Sequence, residues 1–379
     1  MESSDMMSAS GIVLKNLFQH EKTIFAGFLC LALAYFLEIT PYIGPIGHYG
    51  GITEVMFFVI GGVILLVAVK VVEQAEYLAT HFGEPLGTLV LILSASAIEV
   101  IMIVTIMLHG PTQEPTLARD SIFAGVILSI NAVLGIALLI GGMKFKEQEF
   151  NSKSAYSYIT KLGAMCALGV FIPIVVPLKL MGPYKIFVIL IFLVLYGFFL
   201  FFQVGSYSYF FSYATGKGGD AGSEGHHAQD TRPAFRMVML ILYLIVIGLL
   251  VELLSIAVDD SICYYGLPNT TAALIVALIS KIPESLVVLR ATMKNDMQLV
   301  INVALSSALS TMALTIPAVL IVARICKVDV VIALSSVQAL ILASTIILAS
   351  MNVATGKTNA YGGTIQLSLF FAYLFTLFF

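Results

Sequence analysis

Two glutamates stand in stretches where the surrounding residues are almost all apolar. The run GEPLGTLVLILSASAIEVIMIVTIMLHG, from Gly83 to Gly110, carries Glu99, and AALIVALISKIPESLVVLR carries Glu284. From Pro85 to Leu108 the first run is long enough to cross a hydrocarbon core of roughly 30 Å at about 1.5 Å per residue. An ionisable group at that depth costs on the order of 3 kcal/mol unless it faces protein or water. Two buried acids suit the binding of a hard cation, which takes carboxylate, hydroxyl and carbonyl oxygens as ligands. Ser96 lies one turn before Glu99 and Ser280 one turn before Glu284, while Pro283 cannot donate to the carbonyl of Ile279 and leaves it available. Carboxylates brought together in low dielectric repel, so at least one should hold a proton when no cation is bound, and cation binding should expel it. Competition of cation and proton for shared acids is sufficient chemistry for exchange across a membrane.

The elements that must position these acids are membrane helices. Hydrophobic residues make up 59% of the chain and charged ones 11%, where a soluble domain has about 25% charged. The expected fold class is therefore an all-α membrane protein of eleven spans, near 23–40, 52–72, 86–108, 121–142, 161–180, 184–212, 235–258, 269–290, 297–323, 328–350 and 361–379. Residues 1–51 form an N-terminal tail and first span, 52–213 a first five-helix repeat, 214–234 a Gly- and His-containing flexible linker, and 235–379 a second five-helix repeat. The polar N-terminus lacks the basic region and cleavage site of a signal peptide, so the first apolar run reads as a retained span. Cys30, Cys166, Cys263 and Cys326 are scattered and suggest neither a disulfide framework nor a zinc site. A net charge of -3 without a Lys/Arg-dense stretch argues against nucleic acid as a partner. The partners expected are the lipid bilayer and the ions, with oligomeric state left open.

The repeat is visible in the helices that come after each acid. A shift of 177 positions sets Ser121 on Gln298, Gly125 on Asn302 and Ser129 on Ser306, a spacing of four that makes one-face stripes. Ser129, Asn131, Gln298, Asn302 and Ser306 join Ser96 and Ser280 as candidate supporting ligands. The acid-bearing spans are the third and the eighth, an odd number of crossings apart, so the repeats should be inverted, with the site near the midplane. Glu73, Glu76 and Glu84 flank one mouth of the third span and could concentrate cations there. A channel is disfavoured, since no filter-like loop is seen. An intramembrane enzyme is disfavoured too, for no span carries a deep His or an H-E-x-x-H pattern. No cofactor is called for; the cation and the proton are cargo.

The stretches GEPLGTLVL, PESLVVLRATMKNDMQLVINVALSSALSTMALTIP and TGKTNAYGGTIQLSLFFAYLF resemble bacterial calcium/proton antiporters of the ChaA type, within the calcium/cation antiporter superfamily. The resemblance covers most of the chain from about Glu73 onward. It implies eleven spans in a bacterial inner membrane, alternating access, and Glu99 and Glu284 as the groups that bind cation and proton in turn. Calcium is the expected cargo, with sodium or potassium as the alternative. Lys281 departs from the pattern, where an apolar residue is expected. Its candidate partners are Glu284, one turn away, and Glu252 in the seventh span, and Glu252 is the expected one because it otherwise has no partner in sequence.

Thirteen Lys and Arg residues fall on the side of the N-terminus and linker, against five on the other, which makes that side cytoplasmic. A cysteine placed near Ser223 should therefore be shielded from impermeant thiol reagents in intact cells, and one added after Phe379 should be labelled. Labelling of the linker alone overturns this topology.

Overall fold

The computed structural model of the chain describes residues 52–82, 86–109, 115–204, 233–268 and 270–377, together with 23, 27–29 and 32. Most of the expected first span, residues 214–232 of the linker, and Glu84 lie outside the described residues. The described chain is helical almost throughout. Helices α1 (Ile52–Phe82), α2 (Leu86–His109), α3 (Leu117–Phe145), α4 (Ser152–Ile174) and α5 (Leu178–Val204) form one series. Helices α6 (Pro233–Tyr265), α7 (Thr270–Met293), α8 (Met297–Cys326), α9 (Ser336–Val353) and α10 (Ala360–Thr376) form the next. Among the described residues, eight helices are long and apolar enough to cross a membrane, and α2 contributes a shorter apolar stretch, Leu93–Leu108. Helix α5 turns Leu190, Val194, Phe198 and Phe201 outward, an apolar surface of the kind lipid covers.

Helix starts are written locally. Asp296 accepts from Leu299 N at 3.0 Å and opens α8 after Asn295, whose φ of 62° turns the chain out of α7. Ser335 and Gln338 form a reciprocal capping box at α9, and the Asn359 side chain accepts from Tyr361 N and Gly362 N at α10.

The connections sort into two ends of the bundle. At one end, strands β1 (Gln148–Glu149) and β2 (Lys357–Thr358) pair antiparallel, Gln148 donates to Asn295 Oδ1 at 2.7 Å, and Lys144 donates to Met293 O at 3.2 Å. At the other, Arg119 donates to Asp120 and to Ala333 O at 2.8 Å, Gln338 donates to Asp120 at 2.9 Å, and Val331 N bonds Pro115 O. The first end carries Lys144, Lys146, Lys153, Lys294 and Lys357.

Between the ends, α3, α8 and the helices packed on them form a continuous core that includes Phe123, Ile127, Ile130, Val300, Leu305 and Met312. Helices α3 and α10 cross so closely that a Cβ on Gly363 would lie 2.4 Å from Leu139 N, and one on Gly142 would lie 2.1 Å from Ala360 N. Backbone cannot retreat as a flexible side chain can, so the crossing requires glycine. Gly363→Ala should lower stability in detergent by about 1–3 kcal/mol through overpacking, read as a fall in thermal midpoint. An unchanged midpoint contradicts the crossing.

Candidate cation and proton site

Four helices deliver the polar groups to one buried place: α2 brings Glu99, α3 brings Gly125 and Ser129, α7 brings Lys281 and Glu284, and α8 brings Ser307 and Thr311. Helices α3 and α8 each carry a π-helical turn at this level, Leu128–Leu134 and Thr311–Thr315. An extra residue in a turn rotates the next residues about the axis relative to an unbroken α-helix. Ser129 lies within the first of these turns and bonds Ser307, while Thr311 opens the second and bonds Glu99.

The ammonium of Lys281 is the hub. Its Nζ donates to Glu99 Oε2 at 3.1 Å, to Ser307 Oγ at 3.0 Å and to Thr311 Oγ1 at 2.8 Å. An ammonium has three protons to donate, and these oxygens match them. Thr311 in turn donates to Glu99 Oε2 at 2.8 Å, Ser307 donates to Glu284 Oε2, and Ser129 and Ser307 share a hydrogen bond at 3.3 Å. Glu284 Oε2 lies 4.0 Å from Lys281 Nζ. The acids are thus joined through one lysine and one serine. Glycine at 125 lets α3 approach, since a Cβ there would stand 3.0 Å from Glu99 Oε1 and 3.5 Å from Lys281 Cε.

Exposure is unequal. The side chains of Glu99 and Lys281 are 3% and 5% exposed, that of Glu284 19%. Glu284 sits in a recess lined by Ser285, Val288 and Val303. On α7 and α8 these residues lie toward the Met293–Met297 connection, which places the recess on the lysine-bearing side of Glu284, and Glu99 is the more enclosed acid.

Several sequence expectations change here. Lys281 does not pair with Glu252: its bonds go to Glu99, Ser307 and Thr311, and Glu252 is exposed on α6. Ser306 is not on the acid-facing side of α8; it donates to Val303 O, and its neighbour Ser307 holds that place. Asn131 turns away and donates to Thr345 on α9 at 2.8 Å. Gln298 and Asn302 bond each other at 2.9 Å, and Gln298 also bonds Ser154 and Asn151 N, a network that fastens the start of α4 to α8. Ser280 donates to Ala277 O on its own helix. Ser96 is buried, with no hydrogen-bond partner for its hydroxyl among the described residues. Glu76 lies in α1, while Glu73 pairs with Lys70 at 2.5 Å. Sequence reading missed Ser307 and Thr311, although their spacing of four was a stripe as regular as the one chosen.

Among the described residues no group of three or more His, Cys, Asp or Glu gathers as a metal centre. The oxygens gathered there are two carboxylates with hydroxyls around them, the ligand types that hard cations take.

Residues 53–205 and 235–379 match the sodium/calcium exchanger protein family. The chain is 30% identical to the y4hA ionic transporter of Sinorhizobium fredii over 308 residues, covering 80% of this chain and 83% of that one. It is 29% identical to the sodium-potassium/proton antiporter ChaA of Escherichia coli over 318 residues, covering 83% and 86%. Its fold is similar to that of native YfkE, with a TM-score of 0.71 and 19% identity over 93% of this chain and 99% of that one.

The separation of Ser306 from Ser307 can be tested directly. Ser307→Ala should raise the half-saturating cation concentration about tenfold, the loss of a hydrogen bond to a charged group, and Ser306→Ala should change it by no more than about twofold. Equal effects in the two variants contradict this placement.

Proposed function

The chain belongs to the sodium/calcium exchanger protein family, and from that premise we propose a secondary active cation/proton antiporter in which Glu99 and Glu284 take cation and proton in turn. The observation that carries this reading is that the acids meet in one buried cluster, bridged by Lys281 and Ser307. The relatedness to a sodium-potassium/proton antiporter supports the proton as the counter-ion.

The acids and the hydroxyls have separate tasks. A protonated carboxyl releases its proton to the open side as a cation takes its oxygen lone pairs, and the reverse happens on the other side. Ser307 and Thr311 turn their hydroxyls to serve either form, since a hydroxyl donates to a carboxylate and its oxygen lone pairs coordinate a cation. Glu284, in the more open recess, is the first acid an ion meets from the lysine-bearing end; Glu99 is the deeper one. That end is the cytoplasmic one in the topology expected from basic residues, and the membrane is a bacterial inner membrane. Ions cross when the helices around the cluster rock so that it opens to the far side.

Two cargoes are distinguished by charge. Two carboxylates alone suit calcium, as the ligand set suggested. Sodium or potassium is the alternative cargo, and the relatedness to a sodium-potassium/proton antiporter supports it.

Glu99→Gln and Glu284→Gln each keep shape and remove both charge and titration. In proteoliposomes under an imposed pH gradient each should abolish exchange, a fall of about 100-fold or more, while the protein still elutes as a single folded species. Near-normal exchange in either variant removes that acid from the mechanism.

A further inference from the structure

We propose that Lys281 is a tethered competitor cation that sets the valence of the exchanged ion, making the site select monovalent over divalent cargo. This rests on the antiporter reading above and goes beyond it by naming the residue that chooses the substrate.

The first support is position. Lys281 Nζ occupies a place bounded by Glu99 Oε2, Ser307 Oγ and Thr311 Oγ1 at 2.8–3.1 Å. These are the oxygens that a dehydrated cation bound to the deeper acid would require. Ser307 also donates to Glu284, so the ammonium lies on the path that joins the acids.

The second is the tether. Lysine side chains near a helix end can extend their charge to the interface, but Lys281 is 4% exposed and held mid-helix. Its Cε lies 3.5 Å from where a Cβ on Gly125 would stand, so its stem is packed against α3. A charge so enclosed stays with its counter-charges rather than moving to water.

The third is the sum of charges. Glu99, Glu284 and Lys281 total one negative charge when all are ionised. One sodium or potassium ion brings the cluster to neutrality, and so does one proton. A calcium ion brings it to one positive charge in a site nearly closed to solvent, which low dielectric penalises. Remove the ammonium and the order reverses: two carboxylates are neutralised by one divalent ion. In this chain the monovalent reading thus also fixes one proton exchanged per cation as the neutral cycle.

The test uses the full-length protein in proteoliposomes, with sodium, potassium and calcium supplied in turn under an imposed pH gradient. The wild type should exchange sodium or potassium at lower half-saturation than calcium. Lys281→Met, close in shape and apolar, should improve calcium half-saturation relative to the monovalent ions by about tenfold or more, the scale of removing a charge about 4 Å from the bound ion. Lys281→Arg, which keeps the charge, should retain the wild-type order. A Lys281→Met protein with the wild-type calcium-to-monovalent ratio overturns the proposal, and so does a wild type that prefers calcium, whether or not the variant folds. Absence of exchange with any cation in the wild type is a different outcome, which rejects the antiporter reading as well.

Discussion

The arrangement of the bundle around its centre depends on one buried ion pair, Lys281 with Glu99. Moving both charges out of water is costly, and their attraction offsets that cost only when the remaining donors and acceptors are also met. Here they are met, because the ammonium has three oxygens around it and the carboxylate oxygen it faces also accepts from Thr311. These bonds join α2, α7 and α8. The second acid, Glu284, lies 4.0 Å from the same ammonium, so the positions of these helices and the chemistry of the site are set by the same atoms.

The supports around that pair are of a different kind. Gly125 lets α3 reach Glu99, and Gly363 lets α10 press on α3 at Gly135 and Leu139. The Asn131–Thr345 bond ties the π turn of α3 to α9, and the Gln298–Ser154 bond ties α8 to α4. These groups contact neither acid in the hydrogen bonds described, yet they hold in register the turns that carry Ser129 and Ser307. Interhelical hydrogen bonds in a membrane contribute about 0.6 kcal/mol on average, so their effect comes from number and placement. A helix held by weak, separate links can tilt without unfolding, which suits a transporter that must open to both sides.

Glu99 and Glu284 were legible in the sequence because a charge in an apolar run is conspicuous and its cost has few remedies. Helical class and most span positions were legible for a similar reason: unbroken apolar length has one interpretation in lipid. The partner of Lys281 was not. Spacing along a chain identifies which residues share a helix face, but not which helix lies opposite, and Glu252 was chosen for lack of any sequence rival. The slip from Ser307 to Ser306 has another cause. The stripe through Asn302, Ser306 and Ser310 was phased on Ser129 of α3, which lies inside a π turn, whereas Ser306 and Ser307 lie in the regular part of α8 ahead of its own π turn at Thr311, so the two helices do not match residue for residue. Such turns change phase without any signature in residue type.

A tethered ammonium also bears on how an antiporter avoids leak. Slippage occurs when the empty site crosses the membrane, and an empty site carrying two negative charges is opposed strongly by the low-dielectric interior. With Lys281 in place the empty cluster carries one, so the barrier to crossing empty is smaller than in a site of two bare acids. Burial supplies what charge then gives up: Glu99 is more deeply enclosed than Glu284, and the helices around it are held together by the bonds of Lys281, Ser307 and Thr311. The lysine therefore trades part of the electrostatic lock for selectivity by valence, and close packing at Gly125 and Ser307 is the compensating constraint. On this argument the tight crossing of α3 against α7 and α8 belongs to the coupling mechanism as much as to the stability of the fold.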